Sequence, residues 1–335
     1  MQSETRDTGA GSPDLLELIR AGTRKLEELK SALGQVIVGQ REVVDHLLIC
    51  LLAEGHMLLT GVPGLAKTLL VKTVAAVLGW NFRRIQFTPD LMPSDVTGSE
   101  VLHVDPETNA RSFRFVPGPV FTNLLLADEI NRTPPKTQAA LLEAMQERSV
   151  TAGGKTYPIE PPFLVIATQN PIEQEGTFPL PEAQLDRFLL AVTVSYPTEE
   201  EEELIAARTQ AEALAPGTVD LRDLVGVARR VPAPPGVVRK AVRLVRATRP
   251  EDPHAYESVR ENVRWGASPR ASQHLLLAAK ARAVLQGRFA ATTEDVRVMM
   301  LPVLRHRIVL TFNAVAEGKT TDEVLNDVAE TIGEN

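Results

Sequence analysis

A short glycine-containing segment, Gly61-Val-Pro-Gly-Leu-Ala-Lys-Thr68, has the residue types and spacing of a phosphate-binding loop. Its glycines leave backbone N–H groups uncovered, and a predicted helix begins at Lys67, so these groups form a positive nest for a polyphosphate. Lys67 can reach the β- and γ-phosphates of a nucleotide, and the Thr68 hydroxyl can bind Mg²⁺. The common pattern has glycine before the lysine, where this chain has Ala66. Taken alone, the segment also fits an ordinary strand–turn–helix.

Two adjacent acids, Asp128 and Glu129, follow the mostly apolar segment 120–127. An aspartate at the end of a buried parallel strand can hold Mg²⁺ or its water ligands. The neighbouring glutamate can polarise an attacking water as a general base. The alternative is that both acids simply cap the next helix. Two half-motifs in the right order along the chain favour a site of nucleotide hydrolysis instead.

Asn170 follows another apolar segment, 163–168. Open α/β sheets place ligand contacts after the carboxyl ends of their strands. An amide there can orient water and the γ-phosphate, although Asn-Pro by itself is also a turn signal.

Length and composition limit the classes of protein that this chain can represent. Its 335 residues are enough for two domains, and 44% hydrophobic with 24% charged residues is ordinary for a globular protein. A net charge of −7 argues against a broad nucleic-acid or acidic-membrane surface. A single cysteine excludes an internal disulfide. The sequence has no evident signal peptide or membrane segment, so a cytoplasmic location is expected.

The first part of the chain predicts an α/β core over 13–197, after a disordered polar tail at 1–12. Strand patterns separated by helical patterns predict a parallel sheet with helices on both faces. The predicted strands are 56–60, 81–87, 120–128, 163–168 and 188–194, and the predicted helices are 14–29, 41–52, 67–78 and 137–147. Two hairpin insertions are predicted at about 98–116 and 149–158, the second turning at Gly153-Gly154.

From about residue 198 to 335 the sequence has helical patterns and no convincing strand. The predicted helices are 198–211, 220–230, 236–249, 270–286, 293–305 and 321–331. The acidic run 199–203 is typical of a helix start, because Thr198 and Glu201 form a capping box. A second, all-helical domain is therefore predicted.

Four segments in series resemble the MoxR family of AAA+ ATPases. They are Gly61–Thr68, Leu124–Arg132, Ala167–Pro171 and Leu180–Phe188. Alanine before the lysine is usual for that family. The resemblance covers residues 30–310 and implies an α/β fold: a P-loop AAA+ core with a parallel five-stranded sheet, followed by an all-helical lid domain.

The resemblance also implies roles for residues that match the family's motifs. Lys67 and Thr68 would be the Walker A pair, Asp128 and Glu129 the Walker B pair, and Asn170 sensor 1. The implied nucleotide contacts are Gly39, Gln40, Gly61, Val62, Pro63, Gly64, Leu65, Ala66, Lys67, Thr68, Leu69 and Asp128, with Val38 beside the adenine and Thr68 and Asp128 on Mg²⁺.

Two arginines are implied to act on the γ-phosphate. Arg187 would be the arginine finger that reaches a neighbouring subunit. Arg270 would be sensor 2 at the start of a lid helix, acting on its own subunit or on the neighbour. Arg132 is a further cation candidate.

The implied function is Mg²⁺-dependent ATP hydrolysis by a homo-oligomeric ring, expected to be a hexamer. Hydrolysis would remodel or activate partner proteins, among them proteins with a von Willebrand factor type A domain. One alternative is the motor subunit of a magnesium-chelatase-like complex. Another is a DNA or RNA motor, whose basic groove would depend on Arg111, Arg114 and Lys155, and which is disfavoured. A nucleotide-gated scaffold without activity is disfavoured because Glu129 is present.

Overall fold

A computed structural model of the protein describes residues 13–62, 64–171, 176–207, 216–253 and 255–333. The predicted tail 1–12, Pro63 of the phosphate loop and the end of the helix predicted at 198–211 lie outside the described residues.

The described strands are β1 (Met57–Thr60), β2 (Phe82–Gln86), β3 (Gly98–Val104), β4 (Arg111–Pro117), β5 (Leu124–Asp128), β6 (Ser149–Ala152), β7 (Lys155–Pro158), β8 (Leu164–Gln169), β9 (Leu190–Thr193), β10 (Val263–Trp265) and β11 (Val309–Leu310). The described α-helices are α1 (Pro13–Val36), α2 (Arg41–Ala53), α3 (Lys67–Leu78), α4 (Pro93–Thr97), α5 (Pro135–Glu147), α6 (Glu182–Leu185), α7 (Glu199–Ala207), α8 (Pro235–Ala247), α9 (Glu257–Asn262), α10 (Pro269–Leu285), α11 (Thr293–Leu304), α12 (Phe312–Ala316) and α13 (Thr321–Gly333).

The five predicted core strands form one parallel sheet in the order β2-β5-β8-β1-β9, which confirms the predicted sheet. Strand β1 lies between β8 and β9, with Thr60 opposite both Gln169 and Thr193. The segments that follow β1, β5 and β8 therefore meet at one edge of the sheet. These are the segments that carry the predicted site.

Both faces of the sheet are buried, as expected for parallel strands. Along β5, Leu124 and Leu126 pack in one apolar cluster, whereas Leu125 and Ala127 pack in the other, because successive side chains point to opposite faces. The first cluster continues through α2 and α3 into lid helices such as α10. Core and lid thus share one continuous hydrophobic cluster.

Two antiparallel hairpins, β3–β4 and β6–β7, extend from the core. Phe115 of the first stacks on Tyr157 of the second, with ring centroids 4.1 Å apart. Phe113 on β4 is 72% exposed. The paired hairpins therefore present apolar side chains to solvent.

The lid is helical, as predicted, but the sequence analysis missed the short helices α9 and α12 and a two-stranded ribbon. Strands β10 and β11 form a short antiparallel ribbon. They contain three and two residues, which is too short for an alternating pattern to be recognised. Residues 220–230 form two 3₁₀ turns instead of an α-helix, separated by Gly226 with a φ of 71°. None of the described helices combines the length and apolar character needed to cross a bilayer.

Inside the lid, Asp295 is a fully buried carboxylate at the start of α11. It accepts hydrogen bonds from Arg282, Arg288 and Thr292, at distances between 2.5 and 2.8 Å. Burial raises the pKa of this group, but the hydrogen bonds outweigh burial and lower the pKa to about 2.

Replacing Asp295→Asn is expected to lower the free energy of unfolding by about 3 kcal/mol, because two arginines lose their buried counter-charge. Urea denaturation at neutral pH measures this loss. In the folded protein the pKa of Asp295 lies below its unfolded value of about 3.9. The ionised carboxylate therefore stabilises the folded state fully above about pH 3.9, and this stabilisation is lost as the pH falls toward 2. The difference in the free energy of unfolding between wild type and Asp295→Asn should therefore disappear at acidic pH. The control is Glu294→Gln, an exposed charge on the same helix, expected to change stability by less than about 1 kcal/mol.

Candidate active site

The phosphate loop connects the end of β1 to the start of α3 as predicted. Helix α3 begins at Lys67, after Ala66 adopts a left-handed conformation with a φ of 52°. Gly61 has no room for a side chain, because an added Cβ would lie 2.9 Å from the carbonyl oxygen of Val194. The loop therefore turns tightly against β9 and directs the amino end of α3 toward the edge of the sheet where β5 and β8 also end. This end of a helix favours anions.

The side chain of Lys67 folds back over the loop, and its Nζ donates a hydrogen bond of 2.5 Å to the carbonyl oxygen of Gly61. Burial lowers the pKa of this lysine, whereas the nearby carboxylates of Asp128 and Glu129 raise it and offset part of the effect. Lys67 therefore contacts the loop and lines the same cavity as the two acids. A phosphate oxygen can replace the carbonyl as its acceptor.

Asp128, the last residue of β5, has a partner on each carboxylate oxygen. Thr168 Oγ1 donates to Oδ1 at 2.6 Å, and Arg84 Nη2 donates to Oδ2 at 2.7 Å. Thr168 is on β8 and Arg84 on β2, the two neighbours of β5 in the sheet. The sheet order therefore fixes the orientation of this carboxylate.

Glu129 follows directly, in a left-handed conformation with a φ of 57°. Its backbone N–H donates to Thr168 Oγ1, at 2.9 Å. Its side-chain Oε2 accepts from Gln86 Nε2 at 2.8 Å and from Arg132 Nη1 at 3.1 Å. Two polar neighbours thus hold the carboxylate at the rim of the site.

One cavity of about 470 Å³ unites these groups. Its walls include the phosphate loop with Thr68, both acids, and the buried Asn170 that follows β8. The structure therefore brings together the predicted loop, Asp128, Glu129 and Asn170.

A second cavity of about 430 Å³ adjoins the loop and is largely apolar. Val38, Gln40, Leu65 and Leu69 are among its lining residues. Gln40 Nε2 donates to the carbonyl oxygen of Leu65 at 2.9 Å, while its Oε1 is buried without a partner among the described residues. An unpaired acceptor in an apolar pocket suits a flat heterocycle that carries an amino group. The Gly39 Cα lies close to the Glu201 carboxylate, and an added Cβ would be 2.5 Å from it.

The donor set fits Mg²⁺ bound together with a nucleotide. A hydroxyl, on Thr68, and a carboxylate, on Asp128, line the same cavity. Within the described residues, no group of three His, Cys, Asp or Glu side chains could hold a metal ion. An ion here would therefore take its other ligands from phosphate and water, which is how Mg²⁺ usually binds.

The two predicted γ-phosphate arginines do not line this cavity. Arg187 Nη1 donates to the carbonyl oxygen of Leu142 at 2.6 Å. Arg187 lines a different cavity of about 740 Å³, together with His56 and Leu189 at the amino ends of β1 and β9. Arg270 Nη1 lies 3.9 Å from Asp186 Oδ2. Arg270 thus lies close to Asp186, the residue before Arg187, and neither arginine lines the cavity of the phosphate loop in its own chain.

Sequence reasoning missed Arg84, Gln86 and Thr168. Arg84 and Gln86 alternate on a predicted strand, so both face one side, and this pattern is a signal that could have been used. Their acceptors, Asp128 and Glu129, however, lie at the end of a strand that is distant in the sequence.

Comparison with known proteins agrees with this geometry. Residues 56–190 match the ATPase family associated with various cellular activities (AAA), and residues 255–328 match the AAA lid domain. Chaperone MoxR1 of Mycobacterium tuberculosis is 45% identical over 96% of this chain and 85% of its own length. Protein MoxR of Paracoccus denitrificans is 34% identical over 85% of this chain and 89% of its own length. A crystal structure of a candidate ATPase from Cytophaga hutchinsonii has a TM-score of 0.85 at 39% identity, covering 94% of this chain and 96% of that one.

The phosphate loop, the paired acids, the sheet order and the whole-chain similarity lead to one assignment: the chain belongs to the MoxR family of AAA+ ATPases.

Proposed function

We propose that this ATPase hydrolyses ATP with Mg²⁺ at sites shared between subunits of a homo-oligomeric ring, and that hydrolysis remodels or activates partner proteins. The main support is the single cavity that holds Lys67, Asp128, Glu129 and Asn170 beside an apolar pocket of suitable size for a base. The nucleotide-binding core would span 13–197 and the lid 198–335.

In this proposal the loop N–H groups and Lys67 bind the β- and γ-phosphates. Mg²⁺, held by Thr68 and Asp128, would neutralise developing charge on the phosphates. Glu129 takes a proton from the attacking water, and Asn170 orients that water. For Glu129 Oε2 to accept this proton, it must exchange the hydrogen bond from Gln86 or from Arg132 for one from the water.

The position of the two arginines supports a shared site. Arg187 directly follows Asp186 in the chain, Arg270 Nη1 lies 3.9 Å from Asp186 Oδ2, and neither arginine lines the nucleotide cavity of its own chain. A head-to-tail contact between copies brings one surface of a subunit against a different surface of the next, and it forms a ring when the rotation between subunits closes. We propose that both arginines reach the next subunit's γ-phosphate, so that Arg270 acts in trans. On the basis of the family resemblance, we propose that the ring contains six subunits.

The hairpins are the proposed contact surface for partner proteins. Their exposed apolar side chains include Leu102, Phe113 and Val116. Grouped apolar side chains on a surface are typical of protein-binding sites. A von Willebrand factor type A domain is one proposed partner, on the basis of the family resemblance.

Lys67→Ala is expected to weaken ATP binding by roughly a hundredfold, because the nest loses the cation that faces the phosphates. Titration with a fluorescent ATP analogue measures the affinity. Lys72→Ala, an exposed lysine on the same helix, is the matched control and should bind as wild type does. Equal affinity in Lys67→Ala and wild type would refute the loop assignment.

Glu129→Gln is expected to bind ATP with unchanged affinity and to hydrolyse it at least about a hundredfold more slowly, since the general base is lost. Phosphate release under single-turnover conditions reports the chemical step. Glu143→Gln on the exposed face of α5 serves as control and should keep the wild-type rate. Near-normal turnover in Glu129→Gln would move the base to another residue.

Mixing two inactive variants tests the shared site. Arg187→Ala should bind ATP and fail to hydrolyse it, because its cation serves the neighbouring site. Lys67→Ala has an intact Arg187 and an inactive phosphate loop. Mixed rings contain interfaces where an intact loop meets an intact arginine, so the mixture should hydrolyse ATP faster than either variant alone. Dilution should remove the gain as rings dissociate. A mixture that stays inactive under conditions where rings form would contradict action in trans.

A further inference from the structure

Arg307, just after the end of α11, is an arginine buried between the lid and the core, with 2% of its side chain exposed. Its Nε donates a hydrogen bond of 2.7 Å to Asp186 Oδ1. Its guanidinium also contacts the carbonyl oxygens of Phe188 and Leu189, and that of Val303 in α11. The side chain therefore binds the segment on both sides of Arg187 to a lid helix.

Asp186 is the point where two parts of the lid meet the core. While Oδ1 accepts from Arg307, Oδ2 accepts from Ser268 Oγ at 3.2 Å and lies 3.9 Å from Arg270 Nη1. Ser268 and Arg270 belong to the start of α10. A single carboxylate thus connects the end of α11, the start of α10 and the residue before Arg187.

Two histidines complete the cluster as neutral groups. Arg307 Nη2 donates to His274 Nδ1 at 2.5 Å. Burial and then the charge of Arg307 lower the pKa of His274 to about 4, so its Nδ1 is available as an acceptor. His306 Nε2 lies 3.2 Å from the carbonyl oxygen of Phe188, to which its N–H donates. The positive charge of the buried cluster is therefore on Arg307, matched by Asp186.

The segment around Arg187 has little regular structure of its own. It lies between α6, a helix of four residues, and the start of β9. A guanidinium offers five donors in a rigid planar fork, so it can bind a carboxylate and several carbonyl groups at once. A lysine has the same charge without that fork. The geometry of the segment thus depends on the shape of the Arg307 side chain as well as on its charge.

We propose that Arg307 is a positioning residue that fixes Asp186 and the Arg187 segment to the lid, so that Arg187 and Arg270 are presented together to the γ-phosphate of the neighbouring subunit. Arg307 itself lies outside the nucleotide cavity. The inference rests on the proposed function of Arg187 in trans.

Arg307→Lys is expected to lower kcat for ATP hydrolysis at least about tenfold, because small displacements of a group that stabilises a transition state are costly. The KM for ATP and the affinity for an ATP analogue should stay within about twofold of wild type, because the binding cavity of the same subunit is intact. Sedimentation velocity checks that the variant assembles as wild type does.

The matched control is Arg282→Lys, the same substitution at another lid arginine. Arg282 binds the buried Asp295 and, among the described residues, forms no hydrogen bond or ion pair with the Asp186–Leu189 segment. The Arg282→Lys variant should lose about as much thermal stability as Arg307→Lys does, while its kcat stays within about twofold of wild type. An equal loss of kcat in both variants would overturn the proposal, because Arg307 would then act only by stabilising the lid.

Mixing experiments separate this inference from the proposed function. Arg307→Lys impairs the surface that donates the arginines, so its activity should rise when it is mixed with Lys67→Ala. It should stay low when mixed with Arg187→Ala, because both variants impair the same surface. If Arg187→Ala gains activity with Lys67→Ala but Arg307→Lys does not, the role of Arg307 is refuted and the trans site stands. If neither gains activity, both are refuted.

Discussion

Parallel strands end at the same edge of a sheet, and the candidate site depends on this constraint. With β5, β8 and β1 adjacent, the acids after β5, the amide after β8 and the phosphate loop after β1 lie around one cavity. The amino ends of the strands lie at the opposite edge, where Arg187 precedes β9. The sheet therefore separates the residues that would bind a nucleotide from those that would reach a neighbour's nucleotide. Two half-sites at opposite edges suit a head-to-tail assembly.

Charges within the site are balanced by contacts that a bound nucleotide would rearrange. Lys67 binds a carbonyl of its own loop, Asp128 binds Arg84 and Thr168, and Glu129 binds Gln86 and Arg132. Each of these contacts occupies a donor or acceptor that would bind phosphate, Mg²⁺ or the attacking water during ATP hydrolysis. Because a buried polar group without a partner is costly, one hydrogen-bond partner can be exchanged for another favourably only if the new partner has good geometry. The arrangement therefore favours a nucleotide that satisfies several groups together.

In the described part of the chain, the lid is connected to the core by apolar packing and by polar contacts that include the buried Arg307–Asp186 ion pair. The hydrophobic cluster that starts beneath α1 and α2 continues into α10 and α11, so the lid is part of the same packed unit. Packing is non-directional, whereas the Arg307–Asp186 pair fixes the orientation of a particular loop. The continuous cluster stabilises the lid against the core, and the contacts of Arg307 fix residues 186–189 to the lid.

The sequence by itself determined the features that depend on local chemistry and periodicity. The phosphate loop, the helix beginning at Lys67 and the five core strands follow from spacing and hydrophobic pattern. Resemblance to the MoxR family supplied the expected roles of Asn170, Arg187 and Arg270, which local patterns leave open. The partners of the acids were decided by the tertiary structure, because Arg84, Gln86 and Thr168 reach them only after β2, β5 and β8 pair. The β10–β11 ribbon and the Arg307–Asp186 contact were decided in the same way. Which strands become neighbours, and which arginine meets which carboxylate, depends on packing of the whole chain, and no local pattern records that choice.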